Sequence, residues 1–475
     1  MEFINHTPFP ALAFAGVDTR EQEFHVVALR QTLTWNETDG LHFSDEQQPL
    51  CEADEFFGEN VQGSVRQESD LCPYKPRCDV IVNATAYPPR RPDGDVPGKF
   101  NVRLVVSRPG APVSLPPEPY GLNPLMSASS EEMQTWREEI ERAKKITTQG
   151  HRLIDKTLVV TGERQFVKRT GLLRVVASLV KFSSLGTVRL PDWRLTSPQP
   201  AHDVPVILEH AFGGQCRIEQ DDVRADRISK KQRLTAEVAE THPDAPRAPV
   251  AHDAYLENVA GLGFARDWYL DAVGMKAVAA PQIEYPQHPV TVAHFNSARV
   301  GKLDLTEALV AGLGVRPKGH PERAKLVGTI DRAFIEGEAP LPKDFDFAVW
   351  NAAWPDQQVE ALRGDEQIDL VNLCKSGTPC ATTDASGDVR LTLRLPGHLP
   401  FLLVRYENGS IGELESRLDT VLIDPGRREI SCVWRATLAK QPRVRVLEMR
   451  MVQREEIDLL TSESASGRSE GRAYG

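Results

Sequence analysis

Apolar side chains recur at every second position in several stretches of the chain. Phe100, Val102, Leu104 and Val106 alternate with Asn101, Arg103 and Val105. Val389, Leu391, Leu393 and Leu395 alternate with Arg390, Thr392 and Arg394. Ile430, Cys432, Trp434, Ala436 and Leu438 alternate with Glu429, Ser431, Val433, Arg435 and Thr437. Successive side chains of an extended chain point to opposite faces, so this period predicts strands with one face on a core. Asn408-Gly409 follows the run Leu402 to Tyr406 and predicts a tight hairpin, because both central residues can take positive φ. Asp424-Pro425-Gly426 separates two further strand-like runs.

One segment has the other period. Met133, Trp136, Ile140 and Ala143 share one side of a predicted helix over 130–149, with Glu138, Glu139, Arg142 and Lys145 elsewhere. Ser129 and Glu132 have capping-box spacing, and Gly150 suits the exit. The preceding stretch carries Pro109, Pro112, Pro116, Pro117, Pro119 and Pro124, which stiffens it and keeps it out of element interiors. Residues 109–150 therefore read as an insertion between two strands. A second interruption, 218–252, is dense in charge and closes with Pro243, Pro246 and Pro249.

These patterns predict a mainly β protein of the β-rich α+β kind. Two β-sheet lobes are expected, with a helical insertion near 130–149. The N-terminal lobe spans 1–217 and includes the insertion. A charged linker or insertion follows at 218–252, then a C-terminal lobe at 253–456. The Ser- and Gly-rich end, 457–475, is expected to be disordered.

Composition narrows the function classes. Of 475 residues, 40% are hydrophobic and 26% charged, enough apolar material for a core. The net charge of -11 disfavours a protein that grips phosphate backbones, so no nucleic-acid partner is expected. No run of about 18 apolar residues occurs, so no membrane partner is expected. No basic start with a long apolar core opens the chain, and a cytoplasmic location is expected. The seven cysteines are too scattered for a disulfide scaffold.

The candidate chemistry is sparse. Cys72 and Cys78 have five intervening residues, as do Cys374 and Cys380, against the two to four usual at structural zinc. Buried thiols fit these cysteines better, and neither metal nor cofactor is expected. Gly213-Gly214, and Gly261 with Gly263, lack the full spacing of a phosphate-cradling loop and fit turns that need positive φ. His210, on an apolar run, reads as a core or rim histidine. No catalytic motif stands out, and the chain is not expected to be an enzyme.

The densest feature lies between Asp331 and Glu366. Nine carboxylates, namely Asp331, Glu336, Glu338, Asp344, Asp346, Asp356, Glu360, Asp365 and Glu366, face only Arg332, Lys343 and Arg363. In extended chain Asp344 and Asp346 point the same way, an arrangement open to acid–base work on a glycoside or ester, or to Ca²⁺. The competing reading is structural: carboxylates that accept backbone N–H bonds in loops.

Taken in order, short motifs add a resemblance. They are Glu68-Ser69-Asp70-Leu71-Cys72-Pro73-Tyr74-Lys75-Pro76 with Cys78-Asp79-Val80, then Gly162-Glu163-Arg164, and Leu208 to Phe212 with Gly213-Gly214. Next come Asn258 to Phe264 and Arg323 to Asp331. Leu341 to Asp346, Asn351 to Gln358 with its Asp356-Gln357, and Leu362 to Glu366 with its Asp365-Glu366 follow, and Leu395-Pro396-Gly397 and Leu418-Asp419-Thr420 close the series. The chain resembles a bacterial domain-of-unknown-function family encoded beside type VI secretion genes, over roughly residues 10–108, 155–216 and 254–438. Val259 replaces the family's usual proline, and Phe166 its usual tryptophan.

The resemblance implies an effector adaptor or chaperone. Such a protein would bind a secreted effector, and the spike tip proteins, by protein–protein contacts. A hydrolase or a structural component of the secretion apparatus is the alternative. Motif or partner-binding candidates are Asp70, Lys75, Pro76, Asp79, Gly162, Arg164, Phe212, Gly213, Gly214, Asn258, Gly261, Gly263, Asp331, Asp344, Asp346, Asp356, Gln357, Asp365 and Glu366. Trp136 on the inserted helix completes the set.

Overall fold

Strands form where the sequence alternates, and the sheets they build join distant parts of the chain. The computed structural model describes residues 1–59, 63–90, 94–108, 134–135, 137–138, 151–169 and 192–453. Within these the protein is β-rich, with several sheets and short helices.

The largest sheet has seven strands. At its centre the long strand Glu23–Asn36 runs antiparallel to Glu429–Ala439, with Leu29 opposite Trp434. Strand Arg417–Asp424 pairs antiparallel with the latter and parallel with Cys78–Val82, putting Thr420 opposite Asp79. Every residue of Cys78–Val82 is buried, as expected for a strand covered on both faces.

A six-stranded sheet is built around Lys99–Arg108, which lies between His151–Thr161 and Gln367–Val371. A four-stranded sheet contains His398–Tyr406 and Val444–Gln453. Apolar residues of all three sheets, among them Leu29, Val80, Leu104, Leu391, Leu402 and Met449, meet in one core. A second cluster gathers Phe166, Trp193, Phe212, Tyr255, Phe295 and Trp354. Phe166 stacks on Phe295 with ring centroids 4.3 Å apart, so phenylalanine fills a tight core place there.

Several expectations change. The two lobes do not follow the chain halves 1–217 and 253–456. Glu23–Asn36, Cys78–Val82 and Lys99–Arg108 all pair with strands from the second half. Alternation says which face of a strand is buried, and nothing about which strand lies beside it. Of the two readings of the 218–252 segment, linker or insertion, the pairing at its ends fits the insertion. The segment leaves Gln215–Ile218 and returns through Ala251–Ala254, which pair antiparallel, so both of its ends are fixed together.

The 109–150 insertion does sit between two strands, since Arg108 pairs with His151. Of its expected helix, residues 134–135 and 137–138 are helical, and the rest, with Trp136, lies outside the described residues. The expected disorder of 457–475 also lies outside them.

At the 408–409 hairpin only Gly409 has positive φ, at 85°. Asn408 accepts the Ser410 N–H at 2.9 Å instead, and the Tyr406 N–H reaches the Ser410 carbonyl at 3.0 Å. The loop thus places a glycine after an Asn-capped turn rather than two left-handed residues.

Candidate functional site

Most of the motif residues have buried structural roles. Asp79 is fully buried on its strand. Its Oδ2 accepts from Lys75 Nζ at 2.9 Å and from the Ala352 N–H at 2.8 Å. Its Oδ1 accepts from Asn351 Nδ2 at 3.0 Å and the Ala353 N–H at 3.3 Å. One carboxylate thereby pins the 351–353 segment to the central sheet.

Lys75 also donates to Thr420 Oγ1 at 2.8 Å. Burial alone would lower its pKa, but Asp79, Cys72 and Asp419 outweigh burial and raise it. The Pro76 carbonyl accepts from Arg417 Nη2 at 3.3 Å. Asp70, nearby, accepts from the Cys51 N–H at 2.8 Å and lies 3.3 Å from Arg30 Nη1. Burial raises the Asp70 pKa, and Arg30 partly opposes that.

The glycine motifs form one joint. Phe212 and Gly213 pair in parallel with Leu262 and Gly263. A Cβ on Gly213 would stand 2.1 Å from the Asn258 carbonyl oxygen, and one on Gly261 would stand 2.6 Å from that of Ala211. Asn258 closes the joint by donating to the carbonyls of Leu208 at 2.8 Å and Phe212 at 3.1 Å. Phe212 packs edge-on against Tyr255 at 5.1 Å. Gly213 and Gly261 stand where two backbones touch, and Gly263 stands against the side chains of Pro281 and Phe212.

Gly162 is the same case, since a Cβ there would meet the Gln199 carbonyl at 2.0 Å. Arg164 donates to Glu284 and, at 2.7 Å, to the Pro281 carbonyl. His210 bonds Gln282 Oε1 through Nδ1 at 2.9 Å and sits at the rim of the second core.

The acidic block divides in two. Its C-terminal part is structural. Gln357 is fully buried and donates to the carbonyls of Val80 and Leu313, both at 2.8 Å. Glu366 is fully buried and accepts the N–H groups of Arg363 at 2.7 Å and Gly364 at 2.9 Å. Asp365 stands 3.9 Å from Arg363 Nε.

Asp356 is not a buried acceptor. Its side chain is 49% exposed, and the buried partner is Lys156, whose Nζ reaches Asp356 at 2.8 Å and Gln357 Oε1 at 2.9 Å. The rings of Tyr285 and Trp354 lie 5.4 and 5.5 Å from the same ammonium. Burial lowers the Lys156 pKa to about 8, with Asp356 pulling the other way.

The N-terminal part forms a loop pinned at its neck. Thr329 and Lys343 exchange both backbone bonds, at 2.6 and 3.1 Å. Gly328 enters with φ 83°, and a Cβ there would meet the Lys343 carbonyl at 2.3 Å. Asp331 caps the short helix Arg332–Ile335 by accepting the Phe334 N–H at 3.1 Å. Arg332 and Glu336 pair along it at 2.7 Å.

Asp344 takes a left-handed φ of 60°, a conformation aspartate tolerates. Asp346 accepts the Ala348 N–H at 2.8 Å and caps the turn Phe347–Trp350. Phe347 packs edge-on against Phe345 at 5.2 Å and against Tyr74 at 5.8 Å, tying the loop's exit to the Cys72–Pro76 motif. The loop itself presents apolar side chains to solvent: Ile330 is 59% exposed and Ile335 72%. This is the candidate functional site: two exposed isoleucines on a loop pinned at its neck, with Asp331, Arg332, Glu336 and Glu338 near them in the sequence.

Sequence reasoning did not single out these isoleucines. It also missed a bidentate pair beneath them in the chain's logic: Arg323 Nη1 and Nη2 each reach Glu68 at 2.6 Å, fully buried, while Arg323 Nε donates to the Val349 carbonyl at 2.7 Å. Arg435 and Asp419 form a second buried pair at 2.5 Å. Both Glu68 and Arg323 lie inside the recognised motifs, but each sits among other polar and charged residues, so nothing local pointed to the pairing. The cysteine pairs 72/78 and 374/380 are free thiols. Among the described residues no cluster of three or more His, Cys, Asp or Glu is placed to hold a metal, and no helix is long and apolar enough to cross a membrane.

A family model described as an uncharacterized protein conserved in bacteria (DUF2169) matches residues 20–109 and 142–435. The match spans most of the chain, takes in every motif residue above except Trp136, and places the chain in that bacterial family. No curated protein and no solved structure matches it.

Proposed function

We propose that this member of the DUF2169 family is a type VI secretion adaptor, which binds a secreted effector in the cytoplasm and helps load it onto the secretion spike. The link to type VI secretion rests on the ordered motifs and the gene company that their resemblance implies. Recognition rather than covalent chemistry is supported above all by the pinned loop 328–343. Asp331 is spent on capping and Glu336 pairs with Arg332, while Ile330 and Ile335 are exposed. Exposed apolar groups with a polar rim on a rigid base suit a protein partner. In the hydrolase alternative Asp344 and Asp346 would share one site. In this structure one supplies a left-handed turn and the other caps the next helix.

Co-purification tests the reading. Tagged full-length chain recovered from bacterial cells should carry a secreted effector in stoichiometric amount. The variant Ile330→Asp with Ile335→Asp should lose it while melting like wild type. Recovery of no secreted protein at all, or a hydrolytic activity lost in Asp346→Asn, would overturn the adaptor reading.

A further inference from the structure

The strand Ala11–Val17 ends the seven-stranded sheet and, among the described residues, pairs only with Glu23–Asn36. The phase of that pairing is fixed at both ends. The Arg30 N–H reaches the Pro10 carbonyl at 3.0 Å, and the Asp18 N–H reaches the Gln22 carbonyl at 3.0 Å. In an antiparallel ladder such bonds fall on alternate residues. The even-numbered residues therefore bond inward. Ala11, Ala13, Ala15 and Val17 turn their backbone N–H and C=O groups outward, and none of these groups has a partner among the described residues.

Natural sheets blunt a free edge with charge, proline, a bulge or short length. The sequence Ala-Leu-Ala-Phe-Ala-Gly-Val uses none of these, and its register with the neighbouring strand runs without a break. Three other sheet edges are protected. Ile411–Glu415 carries Glu413 and Glu415, Ala381–Thr383 has three residues, and Gln358–Val359 has two.

We infer that this edge pairs with the same strand of a second copy of the chain. Each copy carries a net charge of -11 that opposes association, and this strand carries no charge, so a twofold contact through it brings no like charges of the strand together. Antiparallel pairing about a twofold axis at Phe14 sets Ala11 opposite Val17 and Ala13 opposite Ala15. Every outward N–H and C=O then meets its complement. Phe14 faces its own copy, Leu12 faces Gly16, and Pro10 faces Asp18, so no carboxylate meets another within the strand. Such a contact is isologous and closes as a dimer. It is independent of the adaptor reading, which rests on other residues.

Sedimentation of the full chain over a concentration series tests the inference. Wild type should show a reversible monomer–dimer equilibrium. Ala13→Pro removes one outward N–H per copy and leaves the inward ladder intact, so it should weaken the dimer about tenfold or more. Phe14→Glu and Phe14→Lys should each be monomeric alone and dimerise when mixed, because their charges face across the axis. A wild type that stays monomeric throughout overturns the inference. So does a dimer indifferent to Ala13→Pro in a variant that melts normally. A monomeric wild type whose Ala13→Pro variant loses its effector would also overturn it, assigning the edge to a partner's strand instead.

Discussion

The carboxylates around Asp79 and those of the 328–343 loop come from the same motif series, yet they do opposite things. Asp79 is sealed from water and accepts four hydrogen bonds that lock the 351–353 segment and Lys75 to the central sheet. Asp331 and Asp346 are near solvent, and each accepts one backbone N–H at the start of a short helix. The first group holds the scaffold. The second shapes a loop whose exposed content is apolar. Removing a member of the first group strands a buried partner, and the cost falls on folding. Substituting the exposed apolar residues of the second region leaves the fold alone and changes what the surface can recognise.

The largest expected effect belongs to Arg323→Ala. It leaves Glu68 buried without its bidentate partner and frees the Val349 carbonyl, which should cost about 3–5 kcal/mol. Denaturant unfolding measures it, and a loss below about 1 kcal/mol would break the scaffold half of the comparison. Asp356→Ala should cost less, about 1–3 kcal/mol, because Lys156 keeps Gln357 as an acceptor.

Lys156 sharpens the comparison through pH. Its folded pKa of about 8 lies below the unfolded value of about 10.4, so between the two the unfolded chain binds more protons. Wild-type stability relative to Lys156→Met should therefore rise as pH climbs from 8 towards 10. A flat difference would contradict the assigned burial. Lys75 has the opposite sign, since its raised pKa gives stability that is present below the unfolded value and lost above it. The smallest effect on folding is expected from Ile330→Asp with Ile335→Asp. Both side chains are exposed, and unfolding free energy should stay within about 0.5 kcal/mol of wild type.

How much of this was legible in the sequence depends on the range of the interaction. Strands such as Lys99–Arg108 and Glu429–Ala439 declared themselves because burial of one face writes a period of two locally. Their partners did not, because pairing is set by contacts far apart in the chain. Gln31 and Trp434, 403 positions apart, hydrogen-bond in the core at 2.7 Å. The two glycine motifs were visible as places needing glycine, but not as two halves of one joint. Carboxylates could be read as loop-formers, as Asp331 and Asp346 are, because capping is local. The Glu68–Arg323 pair spans 255 positions and left no local trace of its partner. The exposed Ile330 and Ile335 looked like any short apolar residues, since exposure is a property of the folded loop.

The most direct test of the account is effector co-purification by the Ile330→Asp, Ile335→Asp chain, measured beside its melting temperature. The account predicts wild-type melting and loss of the effector. Wild-type melting with the effector retained would contradict it.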